Sequence, residues 1–525
     1  MQKTMGWLRS IAKNGYLPSI ILWGGILFLV FSSLQTFFSA ITPKGIGLTT
    51  DSVAYIWSAE NLQNGLGLGR LTGSGAFKPM THWPPLYSIL IALIGKPGID
   101  NYEVAKYIGA VLLALYILLL VIVTGKVSSS PIAVIGGAIL LASPITWTVF
   151  LYALSEPLYL VLMLGGLLAF LRFLSSKRKI WLILSAFIVS LSIVTRYVGV
   201  AMLAAFILAF WLYDLKSWKC KLKDSILFLA ISILPLALWL AYNQFAFHNA
   251  TNRSLLYNPI PPADYSQLLE TIQLIVKPIT GFFDVGMRKV ILSVAFLAWG
   301  GYLYLDAKRG KPVAETPYES SPVRFLIIFN IIHVCLYSVM VVISRLYFDP
   351  MIDIFRERII YPAYLSLFIL LVWCAGYLWR VTIRKGWFTT ALSAILFAFL
   401  CVSFYQGFNQ DTSDLVKKSI KDGIGIAAMR TDTHPIVKVF QGLPPADLVY
   451  SDNIEVLYLL TGYPSYQLTD TSLDNFSLLV KQNAHKRTYY VIFRTRAFTK
   501  NVLELFPNIR LLYSAEDGKI LEQFE

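Results

Sequence analysis

A single aspartate with polar and aromatic neighbours follows the first long apolar segment of the chain. Asp51 lies in the stretch Thr-Thr-Asp-Ser-Val-Ala-Tyr at residues 49–55. A second unusual stretch, Thr-His-Trp-Pro-Pro-Leu-Tyr-Ser at residues 81–88, precedes the next apolar sequence. An ionised carboxylate within hydrogen-bond reach of a hydroxyl can act as a general base. The two stretches therefore predict a reaction where the chain leaves a membrane, with Asp51 as the candidate base.

The composition indicates which elements position these residues. The chain has 525 residues, of which 56% are hydrophobic and 14% are charged, and its mean hydropathy is +0.61. This is the composition of a polytopic membrane protein, because soluble domains carry about 25% charged residues. A helix needs roughly 17 to 25 apolar residues to cross a bilayer. We predict eleven such spans, at residues 16–40, 102–125, 131–150, 155–174, 180–197, 199–214, 225–247, 289–306, 323–345, 359–379 and 387–406.

The positive charges predict the orientation of the chain. Short cytoplasmic loops accumulate Lys and Arg, and here they cluster in alternate loops, including residues 177–179, 216–223, 308–311 and 380–385. These loops fall on the side of the basic N-terminal leader, so we expect a cytoplasmic N terminus. The net charge of +15 then reflects membrane orientation, and a nucleic-acid partner is not expected.

With eleven spans, the C terminus lies outside the cytoplasm. We predict a transmembrane module at residues 1–406, with a first external loop at about 41–101, and an extracytoplasmic α/β domain at 407–525. In that domain the sequence predicts strands at 447–451, 488–494, 509–514 and 520–524, and helices at 453–460, capped by Asp452, and 474–483. Because no metal or nucleophile signature occurs there, we expect binding or a lid role rather than catalysis.

The first external loop contains apolar segments that are too short to span a bilayer. Residues 52–62 have helical spacing, and residues 86–94 form an apolar run that begins after two prolines. Both predict helices that lie in the membrane interface and frame a cavity. Five glycines at residues 65–75 would give the intervening loop room to move.

Six short motifs follow one another along most of the chain. They are Asp-Ser-x-x-Tyr at 51–55, His-x-Pro-Pro-Leu-Tyr at 82–87, Ser-Glu-Pro-Leu-Tyr at 155–159, Thr-Arg-Tyr-Val-Gly at 195–199, Phe-Arg-Glu-Arg-Ile-Ile-Tyr-Pro at 355–362 and Tyr-Leu-Leu-Thr-Gly at 458–462. In this order the chain resembles the membrane glycosyltransferases of the GT-C superfamily. It is similar to the branch that contains protein O-mannosyltransferases and the lipid A aminoarabinose transferase. Each motif is short, and only their order is specific.

The resemblance implies transfer of a sugar, with inversion, from a polyprenyl-phosphate carrier to an extracytoplasmic acceptor that is a glycan, a lipid or a protein. Asp51 matches the position of the family's catalytic carboxylate. Protein O-mannosyltransferases follow this aspartate with a glutamate, whereas this chain has Ser52. The departure argues against protein mannosylation and leaves lipid-linked sugar transfer intact.

This chemistry needs cations for the departing phosphate. Because phosphate leaves as a stabilised anion, one carboxylate is sufficient, whereas a glycosidase normally needs two. The candidates for binding the donor phosphate are Arg356, Arg358, Arg196 and Lys78. Guanidinium groups suit phosphate oxygens better than an ammonium does. The alternative for Arg356 and Arg358 is pairing with the nearby acids at 349, 353 and 357.

Four further residues are predicted to bind the substrate or shape the site, and several have structural alternatives. The four are Tyr55, His82, Tyr87 and Glu156. Asp51 could instead cap the helix that follows it. Glu156 could stabilise a helix N-terminus, and His82 could fix an extended turn before proline.

Two other functional classes stay open. A lipid or sugar-lipid transporter would also need many spans, but it predicts internal symmetry and broken helices in corresponding halves. A noncatalytic assembly protein would use the C-terminal domain for binding. We expect no cofactor and no metal, because the sequence contains no dense acidic or histidine cluster.

Overall fold

The computed structural model describes most of the chain. The described residues are 16–41, 44–213, 218–251, 253–262, 265–272, 321–349, 356–383, 398, 408–428, 434–468, 473–493, 503–515 and 518–524. The predicted span at 289–306 lies outside them, and so does the span at 387–406 apart from Ala398.

Six of the described helices are long and apolar enough to cross a membrane. They are α1 (Tyr16–Ile41), α4 (Asn101–Val127), α7 (Glu156–Ser176), α10 (Trp218–Phe247), α11 (Ser321–Tyr347) and α12 (Glu357–Ile383). Two apolar helices are shorter, α8 (Lys179–Ile193) and α9 (Gly199–Tyr213). Each covers one of the predicted spans, and together they make this a polytopic helical membrane protein. The count of eleven spans stays a prediction.

The predicted span at 131–150 is broken by a sharp bend. It consists of α5 (Ser130–Ala142) and α6 (Pro144–Phe150), which are bent by 72° at the break. Pro144 has no amide hydrogen to donate to the carbonyl four residues earlier, so a continuous helix is interrupted. That carbonyl, of Leu140, accepts instead from the Ser143 amide at 3.2 Å and from the Thr146 hydroxyl at 2.6 Å.

The described residues divide into two compact units. The first comprises Met1–Ala40, His82–Leu86 and Gly109–Lys418, and the second comprises Ile41–Thr81, Tyr87–Ile108 and Ser419–Glu525. Most of the first external loop therefore belongs to the same unit as the C-terminal residues. The predicted division at residue 406 stays a prediction.

Aromatic rings and small residues form the packing of the first unit. The Phe170 ring on α7 stacks on Phe325 of α11 with ring centroids 4.6 Å apart. The ring centroid of Phe206 on α9 lies 5.3 Å from that of Phe170. A Cβ on Gly136 of α5 would meet Val372 of α12 at 3.0 Å. Close approach at small residues is how membrane helices pack without a hydrophobic driving force.

The second unit contains a five-stranded mixed sheet with the order β6-β5-β7-β9-β8. The strands are β5 (Leu448–Ser451), β6 (Tyr466–Gln467), β7 (Thr488–Ile492), β8 (Ile509–Ala515) and β9 (Gly518–Gln523). The shorter β3 (Ser254–Leu255) and β4 (Phe348–Asp349) form an antiparallel pair in the first unit. β5 is parallel to β6 and β7, whereas β9 is antiparallel to β7 and β8. The central strand β7 is buried along its whole length, as expected for a strand covered on both faces. The four predicted strands are confirmed, and β6 was not predicted.

Three helices accompany the sheet. They are α13 (Pro435–Gly442), α14 (Ile454–Thr461) and α15 (Leu473–Gln482), of which α13 was not predicted. The prediction that Asp452 caps α14 is wrong, because the cap is Asn453, whose side chain accepts from the Val456 amide at 3.1 Å. The Asp452 carboxylate accepts instead from the Phe493 amide at 2.8 Å. Gly462 ends α14 in the left-handed conformation, as its position predicted.

Both short helices predicted in the first loop are observed. They are α2 (Thr50–Gln63) and α3 (Leu86–Ile94), with the hairpin β1 (Gly69–Leu71) and β2 (Phe77–Pro79) between them. The mobility expected from the glycines stays a prediction. A Cβ on Gly69 would meet the Lys78 carbonyl at 2.4 Å, and one on Gly73 would meet the Tyr466 ring at 2.4 Å. These two glycines permit close contacts that a larger residue would block.

Candidate functional site

Asp51 is the second residue of α2, and other residues cap that helix. The Ser52 amide donates to the Thr49 hydroxyl oxygen at 3.2 Å, and the Thr49 amide donates to the Ser52 hydroxyl oxygen at 3.0 Å. This reciprocal pair is a capping box with Thr49 as the N-cap. The alternative prediction that Asp51 is the N-cap is therefore wrong. Its half-buried carboxylate stands in the first turn, where the helix dipole favours a negative charge.

Tyr55 and Tyr87 pack against each other below this turn. Tyr55 on α2 is 4% exposed and Tyr87 on α3 is 1% exposed. Their rings meet edge to face with centroids 5.3 Å apart, a favourable arrangement for aromatic pairs. The two tyrosines thus join α2 to α3 within the second unit. This placement fits a role in shaping the surroundings of Asp51.

Lys78 lies on the β1–β2 hairpin of the same unit. It stands opposite Arg70 in the register of the two strands, and it is exposed. Like-charged neighbours across a strand pair repel each other. Arg70 is paired with Glu455 at 2.8 Å, so Lys78 is the residue of this cross-strand pair that presents its charge to solvent.

In the first unit, one buried carboxylate lies between two predicted arginines. The Glu156 side chain is 2% exposed, and its Oε1 lies 2.7 Å from an Arg196 nitrogen and 3.8 Å from an Arg358 nitrogen. We call these three residues the arginine cluster. It contains two positive charges for one negative charge. The structural alternative predicted for Glu156 also fits, since this residue is in the first turn of α7, where a negative charge stabilises the helix N-terminus.

Short loops and helix ends position the members of the arginine cluster. Pro157 stands in the first turn of α7, where its missing amide hydrogen costs nothing. Arg196 lies between α8 and α9, and its amide donates to the Ser192 carbonyl at 3.0 Å. Arg358 is the second residue of α12. The Tyr337 hydroxyl donates a hydrogen bond of 2.6 Å to the carbonyl of the next residue, Ile359.

The charges of Arg356 and Arg358 act on Tyr152. Burial raises the pKa of the Tyr152 hydroxyl, while the charges of Arg358 and Arg356 lower it, and Glu357 raises it. The opposed effects place this tyrosine in the electric field of both arginines. Arg356 itself is exposed, so it adds positive charge where solvent has access. Sequence reasoning missed Tyr152, because a tyrosine between two spans is usually part of the interfacial belt.

His82 contacts an arginine that was not predicted. Arg253 Nη2 lies 3.2 Å from His82 Nε2, and the Trp83 ring lies 4.8 Å from the imidazole. Since a guanidinium has no acceptor, Nε2 must accept this hydrogen bond. His82 therefore does more than precede a proline. No signal in the sequence distinguishes Arg253 from other basic residues near span ends.

The predicted site residues thus fall into two groups. In the first unit, Glu156 pairs with Arg196 and Arg358, and His82 pairs with Arg253. Arg356 precedes Arg358 by two residues. Asp51, Tyr55, Tyr87 and Lys78 belong to the second unit. Within the described residues, no group of three or more His, Cys, Asp or Glu side chains could hold a metal ion.

Known structures show which fold this arrangement belongs to. ArnT from Cupriavidus metallidurans, in a crystal structure bound to undecaprenyl phosphate, gives a TM-score of 0.51 at 14% identity. The match covers 95% of this chain and 98% of ArnT. ArnT is a GT-C glycosyltransferase. The chain has the GT-C fold.

The second GT-C enzyme is the oligosaccharyltransferase of Archaeoglobus fulgidus, in a structure tethered to an acceptor peptide. It gives a TM-score of 0.51 at 11% identity, over 89% of this chain and 68% of the archaeal protein. No protein-family model and no curated protein matches the sequence. The resemblance predicted from the six motifs is therefore confirmed at the level of the fold.

Proposed function

We propose that this GT-C protein is an inverting glycosyltransferase. It moves a monosaccharide, a hexose or a pentose, from a polyprenyl-phosphate carrier to a hydroxyl of an acceptor outside the cytoplasm. The full-length similarity to ArnT supports a lipid-phosphate donor, because that enzyme was crystallised with undecaprenyl phosphate.

The observation that carries the proposal is the position of Asp51. It stands in the first turn of a buried helix whose N-cap is supplied by Thr49 and Ser52. Capping therefore does not account for this carboxylate. The same observation gives Ser52, the residue that departs from the O-mannosyltransferase pattern, a structural role in the capping box.

In the proposed reaction, Asp51 accepts the proton of the acceptor hydroxyl. The acceptor oxygen forms a bond to the anomeric carbon as the bond from that carbon to the phosphate oxygen breaks. The electron pair of the broken bond stays on the phosphate, which leaves as an anion, and the anomeric configuration inverts. No second acid is needed, because a phosphate leaves without protonation.

The arginine cluster is the proposed site for the donor phosphate. Two guanidiniums face one carboxylate, so the cluster has a net positive charge that a phosphate can neutralise. Glu156 holds both arginines in place before the donor binds. Arg356 and Lys78 are the further proposed phosphate ligands, and His82 is a further candidate substrate contact.

The acceptor and the orientation belong to the proposal as well. Ser52 after Asp51 favours a lipid or polysaccharide acceptor over a protein. The N terminus is cytoplasmic and the C-terminal residues are extracytoplasmic, as the basic loops predict.

The proposed reaction needs no metal ion. Turnover that persists in a chelator would support this metal independence, whereas a loss of turnover that manganese restores would overturn it.

A deletion strain tests the proposal. Mass spectrometry of cell-envelope glycans and lipids from the strain should show one sugar missing from one acceptor. A plasmid copy of the gene should restore that sugar, whereas the Asp51→Asn variant at equal membrane abundance should not. Full restoration by Asp51→Asn would point to transport or assembly instead of glycosyl transfer.

A further inference from the structure

The C-terminal residues of the second unit hold the backbone just before α2. The Ile426 amide donates to the Leu48 carbonyl at 2.9 Å, and the Leu48 amide donates to the Ile424 carbonyl at 3.3 Å. Leu48 immediately precedes Thr49, the N-cap of the helix that carries Asp51. The start of α2 is therefore attached to a segment almost 400 residues later in the chain.

A tyrosine of α14 holds the other end of α2. The Tyr458 ring stacks on Trp57 with centroids 3.7 Å apart and an interplanar angle of 10°. The Tyr458 hydroxyl donates to Glu60 Oε2 at 2.8 Å. Trp57 and Glu60 are three residues apart, so they lie on one face of α2. A single side chain thus combines a stacking contact with a charge-assisted hydrogen bond.

An ion pair adds a third attachment next to this one. Arg70 on β1 lies 2.8 Å from Glu455, which is one turn before Tyr458 on α14. The side chains of this pair are 24% and 14% exposed. The same face of α14 therefore contacts both α2 and the hairpin that follows it.

These contacts fix a helix that has little exposed surface of its own. Residues 52–59 of α2 are all buried, so the helix is enclosed on every side. Burial, followed by the Glu60 carboxylate, raises the pKa of the Tyr458 hydroxyl, so that it stays a hydrogen-bond donor. The motif at 458–462 has no part in the chemistry proposed above. Its first residue makes the contacts to α2.

We propose that Tyr458 is a positioning residue that sets the orientation of α2, and thereby of Asp51, through Trp57 and Glu60. The inference rests on the proposed role of Asp51 as general base. Glu60 follows Asp51 by nine residues, or about 13 Å along the helix axis, so Tyr458 acts through the helix and not by contact with the carboxylate. Small displacements of a reacting group lower rates steeply.

Substitutions that remove only the hydrogen bond test this role. Tyr458→Phe keeps the stacking on Trp57, and Glu60→Leu removes the acceptor. Each should lower kcat about tenfold, because a small displacement of the base slows the reaction, while KM for the donor stays unchanged. Glu60→Gln keeps an oxygen acceptor and should retain most of the activity. Tyr463→Phe, at a 40% exposed position just after α14, is the matched control.

Turnover is followed with a panel of polyprenyl-phosphate hexoses and pentoses and a host membrane extract as acceptor. The donor that the wild-type protein consumes fastest is used throughout. If Tyr458→Phe and Glu60→Leu keep wild-type kcat, or raise KM with kcat unchanged, the positioning role is wrong. An inactive Asp51→Asn in the same series would leave the proposed function standing. An active Asp51→Asn would overturn the proposed function itself.

Discussion

At the scale of single residues, the geometry of the arginine cluster predicts how substitutions of Arg358 change the binding of a lipid phosphate. Arg358 lies 3.8 Å from Glu156, whereas Arg196 lies 2.7 Å from it. Removing Arg358 therefore leaves the shorter pair intact and avoids an unpaired buried charge. We expect Arg358→Ala to weaken binding of undecaprenyl phosphate about 10- to 100-fold, and Arg358→Lys to weaken it less.

The matched control for this prediction is Arg172→Ala. Arg172 is near the other end of α7, with its guanidinium 5.9 Å from the Trp181 ring, on the side that the basic loops assign to the cytoplasm. Calorimetric titration of the purified protein gives the affinities. Equal losses of affinity in the Arg358→Ala and Arg172→Ala variants would mean that the overall positive charge of the protein, and not the arginine cluster, binds the phosphate.

The residue types of this site were predictable, whereas several of their partners were not. Carboxylates and arginines next to span ends are costly in a membrane, and this cost singled out Asp51, Glu156 and Arg196 in the sequence. The pairs that hold them depend on residues far apart in the chain, as with His82 and Arg253. Such pairings follow from tertiary packing, which leaves no local pattern in the sequence.

At the scale of elements, substitutions at the N-cap of α2 and at Asp51 should affect the stability of the protein differently. Thr49→Ala removes the acceptor for the Ser52 amide and should destabilise the protein by about 1 kcal/mol, with Thr49→Ser close to wild type. Asp51→Asn should change the melting temperature less, since a first-turn charge contributes only about 0.3 to 1 kcal/mol. Thermal unfolding in detergent compares the three variants. A larger loss of thermal stability in Asp51→Asn than in Thr49→Ala would indicate that Asp51 is mainly a structural residue.

Helix positions were predicted more accurately than helix shape. The bounds of α3 match the predicted residues 86–94, because a short apolar run and two prolines define them locally. The break between α5 and α6 was missed because the residues on both sides of it are apolar, and hydropathy alone reads them as one span. The strand β6 has only two residues, which are too few for an alternating pattern.

At the scale of the whole molecule, the basic loops predict on which side of the membrane each terminus lies. Basic residues in alternate loops place the N terminus in the cytoplasm and the C terminus outside it. Alkaline phosphatase fused after residue 525 should therefore be active, and a green fluorescent protein at the same place should be dark. The reverse pattern would contradict the predicted orientation, and with it a reaction outside the cytoplasm.

The grouping of the chain into two units was only partly predictable. The change from apolar to polar sequence near residue 407 indicates a separate C-terminal fold, and the mixed sheet is found there. The sequence assigned the first loop to the membrane module, since the loop lies between two spans. Contacts such as those of Tyr458 with Trp57 and Glu60 instead join it to the C-terminal residues.

Single-turnover glycosyl transfer shows whether Asp51 is the general base. Purified wild-type protein and the Asp51→Asn variant are compared with the same polyprenyl-phosphate sugar, and binding of undecaprenyl phosphate is measured in parallel. We predict that the variant loses at least about 100-fold in the rate of transfer, as expected for removal of a general base, and binds the lipid as the wild type does. Transfer by Asp51→Asn at the wild-type rate would show that Asp51 is not the general base.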